Sequence, residues 1–277
     1  MNPPQKFIMR RSDWQTLALL GGLTVCFTGM LTRGLWMLIP VACILCVSTC
    51  AAKHNHTHCP TFGYHWLNRI MNLWLTVLTG TSTSGIRIAH QVLHHGRNQS
   101  PDDFVRCSIV GNLPPGQALW KYVPLVIREV WKTNSAGPIE NRGSSLRQAC
   151  FVERIFLWLA IAAIGAFSGP LALLGIAIPW GFGQWFLIAM NLPQHDGCDA
   201  GSQWGHSRNV TGRLANWLFL NNGFHTAHHE KPAGHWSDLP SIHTQEVAVH
   251  LPPHLACDSL CGFWLSWWQE RRKGVKA

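Results

Sequence analysis

Four runs of apolar residues dominate this chain and restrict what it can fold into. Residues 14–31 and 35–52 are each 18 residues long and carry no charge, and Thr32-Arg33-Gly34 joins them as a tight turn. Residues 155–168 and 171–190 form a second pair across Gly169-Pro170. A bilayer-spanning helix needs roughly 17–25 apolar residues. Three of the runs meet that length, and the third, at 14 residues, has to borrow from Cys150–Arg154 or sit in a thinned bilayer. The expectation is an all-α membrane protein with four transmembrane helices in two hairpins. Residues 53–153 and 192–277 would form a helical cap, and the 277 residues together a single domain. Mean hydropathy is only +0.06, as a modest membrane portion joined to a large polar one requires.

Two tight hairpins place both termini and the cap on one face of the bilayer. Lys6, Arg10 and Arg11 precede the first run, and the lack of a small-residue cleavage site before the second marks it as a retained helix rather than a signal peptide. Of 22 Lys and Arg, only Arg33 falls in an opposite-side turn, so the positive-inside rule makes the large face cytoplasmic. The expected setting is a multi-pass protein of a bacterial inner membrane. The net charge of +9 suits an anionic leaflet, whereas no basic run exceeds Arg271-Arg272-Lys273, which disfavours nucleic acid as a partner. Trp66–Leu78, Ala118–Lys132 and Phe263–Lys273 mix Trp with polar or cationic residues, as interfacial helices or cap helices do. The ten Cys include no pair of zinc knuckles and read as free thiols.

Ten of the sixteen His concentrate in His54-Asn-His56-Thr-His58, in His90-Gln-Val-Leu-His94-His95, at Asn191-Leu-Pro-Gln-His195 and in His225-Thr-Ala-His228-His229, while His65, His206, His235, His243, His250 and His254 stand alone and read as ordinary surface or core residues. Each helical residue turns the side chain by about 100°. His54 and His58 then share a face and His56 points away. His90 and His94 align, while His95 lies off that face and needs local distortion or a second metal. His225, His228 and His229 fall close enough to face one centre, and Asn191 and His195 share a face. Neutral imidazole suits Zn, Cu and Fe. Nine such rings exceed the three or four of a single zinc site and approach the number that two metals need.

This pattern resembles the membrane fatty acid desaturase superfamily, in which three histidine boxes follow hydrophobic hairpins. The boxes are matched by His54-x3-His58, His90-x3-His94-His95 and His225-x2-His228-His229, and Asn191 with His195 matches the family's additional N-x3-H element. The resemblance implies that His54, His58, His90, His94, His95, His195, His225, His228 and His229 hold two iron ions, with Asn191 on a metal-bound water. It implies O2 as co-substrate and an apolar acyl chain as substrate, desaturated at the cytoplasmic membrane face. It also implies an external electron donor of the ferredoxin, rubredoxin or cytochrome b5 type. His56 inside the first box and the short chain, with no fused donor domain, depart from the family pattern.

An all-imidazole shell leaves the metal charge uncompensated, so nearby carboxylates are expected to orient the rings. Asp196, next to His195, and Glu230, next to His229, are the first candidates, followed by Asp102 and Asp103. Trp180, Phe182, Trp185 and Phe186 precede Asn191 and are placed to line an apolar groove or to face lipid. The same centre serves hydroxylation, ketolation or oxidative decarboxylation of an apolar chain or isoprenoid equally well. A metal transporter would require ionisable residues within the spans, and 155–190 contain none.

Overall fold

The computed structural model describes residues 7–135 and 144–274, so Lys6 lies outside the described residues. In chain order the helices are α1 (Asp13–Arg33), α2 (Ile39–His58), α3 (His65–Thr79), α4 (Thr83–Arg87), α5 (His95–Arg97), α6 (Pro115–Ser135), α7 (Ser144–Ser168), α8 (Pro170–His195), α9 (Arg213–Leu218), α10 (His225–Glu230), α11 (Leu239–Ile242) and α12 (Leu260–Gly274). A π-helical segment, Ile88–His94, links α4 to α5. The only sheet among the described residues is a parallel pair of two-residue strands, β1 (Asn209–Val210) and β2 (Ala256–Cys257). Four helical stretches are long and apolar enough to cross a membrane: Asp13–Arg33, Trp36–His58, Ser145–Ser168 and Pro170–His195.

Of the two ways open to the short third stretch, the structure takes the first: α7 extends back through Cys150–Arg154 and runs for 25 residues. Glu153 is buried and fully bonded, so its charge does not break the helix. One carboxylate oxygen accepts from Ser82 Oγ (2.7 Å) and the Ser84 amide (2.8 Å), and the other from Ser84 Oγ (2.7 Å). The helix is therefore long and apolar enough to cross a membrane of ordinary thickness.

The chain groups into two compact units. The first comprises Met1–Arg87 and Arg142–Phe186. Here α1 packs on α2, α2 on α3 and α7 on α3 and α4, around buried Leu20, Leu23, Met30, Cys46, Met71 and Leu75. Burying a Leu or Met in this way stabilises by about 1.5–3 kcal/mol, less whatever lipid would have provided. Gly80 ends α3 at φ 71°, a left-handed conformation, and a Cβ there would meet the Trp180 ring at 2.6 Å. Lys53, near the end of α2, is also buried. Its Nζ donates to Thr79 Oγ1 (2.9 Å), Thr81 Oγ1 (2.8 Å) and the Thr81 carbonyl. Lys53 and Glu153 thus hold the Thr79–Ser84 turn from two directions.

The second unit comprises Ile88–Asn141 and Leu187–Ala277. The β1–β2 pair supports the turn into α10. Thr226 donates its amide to Asn209 Oδ1 (3.0 Å), and Asn209 Nδ2 donates to Thr226 Oγ1 (2.8 Å). Phe263 and Trp267 of α12 are fully buried, with Phe263 against Val210 and Cys257, so the Trp-rich C-terminal helix is core on one face. Leu265 and Trp268 remain exposed on the other. All ten cysteines are free thiols, as expected.

Candidate metal centre

Two groups of histidines converge in the second unit. In one, the ring nitrogens of His94, His195, His225 and His229 all lie within 4.8 Å of one another. His195 Nε2 and His225 Nε2 are 2.9 Å apart. In the other, His95 Nε2 lies 2.9 Å from both His90 Nε2 and His228 Nε2, which are 3.4 Å apart. Ligands held about 2.0–2.1 Å from one metal ion sit at roughly such separations from each other.

The grouping corrects two expectations about which rings share a centre. His90 gathers with His95, not with His94. The cause is the π-helical segment, whose hydrogen bonds span five residues rather than four, so that positions i and i+5 come onto one face. The third box also divides. His225 and His229, one helical turn apart, join the first group, while His228 joins the second. Adjacent residues on a helix diverge by about 100°, so a His-His pair sends one ring to each group. Both His94-His95 and His228-His229 do this.

Three of the four rings are buried and His229 is half-buried. His94, His195 and His225 are 1%, 2% and 5% exposed. Burial, reinforced by the neighbouring imidazoles, holds His225 and His229 well below the ordinary histidine range, so both rings are neutral near pH 7, the form that can ligate a metal. Their orientation is set from outside. His94 Nδ1 pairs with Asp103 Oδ2 (3.0 Å) and His195 Nδ1 with the His206 carbonyl (3.0 Å). Each Nδ1 therefore carries the proton and each Nε2 presents a lone pair inward. The Nε2 atoms of His94 and His229 are buried with no hydrogen-bond partner. A buried imidazole nitrogen without a partner is expensive unless a metal takes it. The residues present fit a metal ion.

The expected orienting acids are reassigned. Asp196 does not touch an imidazole. Its Oδ2 accepts from Trp267 Nε1 (2.7 Å) and Arg271 Nη1 (2.6 Å), because its side chain leaves the helix end toward α12. Glu230 accepts from Gln203 Nε2 (2.8 Å) and lies 3.7 Å from His206 Nε2, a non-ligand ring. Asp102 pairs with Arg97 at the surface. Asp103 is the carboxylate that orients a ring, and it is fully buried, with its oxygens also accepting from the amides of Gln99 and Val105 (both 3.0 Å). Gln99 sits at φ 60°, a strained conformation for a non-glycine residue at the turn that presents Asp103.

Asn191 is buried, and its Nδ2 donates to the Val105 carbonyl (2.7 Å) and Tyr122 Oη (2.9 Å). His206, a lone histidine outside the four clusters and read from the sequence as an ordinary surface or core residue, also reaches this site. Its ring lies 5.1 Å from that of His229 and its carbonyl holds His195. No spacing signal marks it, because it reaches the site from an irregular loop.

In the first unit, α2 is regular helix to its end, and the His54 and His58 rings lie 5.1 Å apart. His56 points elsewhere, its Nδ1 accepting from the Thr61 amide (3.2 Å) and 2.8 Å from Thr61 Oγ1. Of the four aromatics preceding Asn191, Trp180 packs against Gly80, whereas Phe182 is exposed and stacks on Phe186.

Residues 29–257 match the family described as Fatty acid desaturase. None of the curated proteins compared with the chain matches it.

Proposed function

Because the chain belongs to the fatty acid desaturase family, we propose that it is an O2-dependent di-iron enzyme that introduces a double bond into a fatty acyl chain at the cytoplasmic face of a membrane. The family makes it an oxidoreductase of fatty acids in a lipid setting, and the His clusters supply a metal site. The observation that carries the finer reading is the buried four-ring group, with oriented Nδ1 atoms and the unpartnered Nε2 atoms of His94 and His229.

His94, His195, His225 and His229 would hold one iron and His90, His95 and His228 the other, with His54 and His58 completing the nine ligands that the family resemblance assigns. When bound and reduced, the iron pair supplies the oxidising power toward an unactivated C–H bond. Asp103 keeps His94 in the ligating tautomer, and the His206 carbonyl does the same for His195. Asn191 spends its amide hydrogens on Val105 and Tyr122 and keeps Oδ1 as an acceptor for a bound water. Burial of the rings keeps bulk water from the oxidant. Two electrons per turnover come from an external carrier of the ferredoxin, rubredoxin or cytochrome b5 type.

Expression in a heterologous host followed by mass spectrometry of its lipids tests this. A product lighter by two hydrogens is expected. A product heavier by one oxygen overturns desaturation in favour of hydroxylation at the same centre.

A further inference from the structure

The reading above, on which this inference rests, requires electrons to reach a buried centre. His94, His195 and His225 are at most 5% exposed, so no carrier can touch them. His195 has two bonded exits. Its Nδ1 contacts the His206 carbonyl, which leads into saturated backbone. Its peptide bond leads to Asp196, whose carboxylate accepts from the Trp267 indole at 2.7 Å. Trp267 is wholly buried, and its ring lies 6.3 Å from that of Trp268, which is 38% exposed.

A purely structural role explains less of this. Arg271 already fastens α12, donating to Asp196, to the Leu113 carbonyl (2.9 Å) and to the Gly111 carbonyl (2.6 Å). A buried indole N–H needs an acceptor, but any backbone carbonyl would serve. Here it takes the carboxylate of the residue that follows a ligand. On the surface above, Leu265 and Trp268 share a face of α12 with exposed Arg272, and Lys273 is exposed beside it. An apolar patch rimmed by cations is the contact that a transient, acidic redox protein makes.

We propose that Trp268, Trp267 and Asp196 form the bridge by which an acidic iron–sulfur or haem protein, docked on α12, reduces the metal held through His195. One electron leaves the reduced carrier, tunnels through the closed-shell indoles and the carboxylate, and converts a ferric ion to ferrous. Two such transfers, two solvent protons and the two hydrogens of the substrate balance the reduction of O2 to two waters.

The test uses the full-length, iron-loaded protein in detergent, without O2 or substrate. Ferrous iron is followed after mixing with a pre-reduced plant-type ferredoxin or, separately, with reduced methyl viologen, a small reductant that needs no docking site. Trp267→Phe replaces the indole by a smaller aromatic ring and deletes the bond to Asp196, and it should slow ferredoxin-driven reduction about tenfold, with iron content and the viologen rate unchanged. Trp268→Ala should slow the ferredoxin reaction by a similar factor, and an unchanged iron content and thermal unfolding midpoint check that the fold is kept where the ring meets Gly116. Ferredoxin rates equal to wild type in both variants overturn the bridge while leaving the di-iron reading intact. So does a fall in the viologen rate parallel to that of ferredoxin, which marks α12 as an anchor only. A wild-type chain that binds no iron overturns both.

Discussion

The two histidine groups of the second unit reach the same ligand geometry by different means. In the group of His94, His195, His225 and His229 the first three are buried, and two of its rings are aimed by partners outside it: a buried carboxylate for His94 and a loop carbonyl for His195. In the group of His90, His95 and His228, the first two are half-buried and brought into phase by a π-helical turn. Orientation from outside suits a site whose rings come from several separate elements. A local irregularity suffices where two ligands lie five residues apart on one segment. The comparison teaches that the two halves of a paired site need not be equally robust, because one depends on tertiary contacts and the other on backbone bonding.

The most severe way to test that difference is to remove one ring from each group. His94→Ala and His228→Ala are both expected to abolish double-bond formation while the protein stays in the membrane. Iron analysis should show a loss of about half the metal in each, since a site short of one ligand binds weakly. Full iron content in either variant would break the division into two groups.

A smaller effect is expected at Asp103→Asn, which keeps the shape and removes the charge that fixes the His94 tautomer. Metal affinity of the four-ring group should fall about 10–100-fold, read by competition with a chelator, with the second metal retained. Equal loss of both metals would show that Asp103 supports the whole cap rather than one ring.

Acid should also distinguish the groups. His225 and His229 are held below the ordinary histidine range by burial, so the unfolded chain binds protons that the folded chain refuses. Stability of the metal-free protein is therefore full above about pH 6.5 and falls as the pH is lowered through and below that value. Thermal unfolding in detergent between pH 8 and 5 should show Tm decreasing toward acid, and loaded metal should oppose the decrease. A Tm independent of pH over that window would contradict the burial of these rings.

The smallest change is expected at His56→Ala. Its ring serves Thr61 and not a ligand group, so activity should stay within about twofold of wild type and stability fall by about 1 kcal/mol. Loss of activity equal to that of His94→Ala would show that α2 is not regular helix at its end.

Much of the site was legible because ligand chemistry and helical spacing are local. The His54-His58 and His225-His229 pairs follow from the 3.6-residue repeat, as does the outward turn of His56. The spacing showed that His95 needs local distortion or a second metal but not that His90 would follow it into the other group, since π-bonding leaves no pattern in the residues it acts on. The orienting acid was misplaced for a related reason. Asp196 and Glu230 stand beside ligands in the chain, but neighbours on a helix diverge, and Asp103 arrives instead through a strained loop turn at Gln99. His206 was invisible for want of any periodic signal.

By itself the sequence determined the helical class, the four spanning stretches, the free cysteines and the histidines that gather, because apolar length and helical phase are properties of short segments. Only the tertiary structure decided which ring joins which group, which carboxylate steadies them, and that Lys53 and Glu153 are bonded in place rather than exposed. Those outcomes depend on where distant segments meet, and burial of a polar group is tolerated only where a partner from elsewhere in the chain arrives to satisfy it.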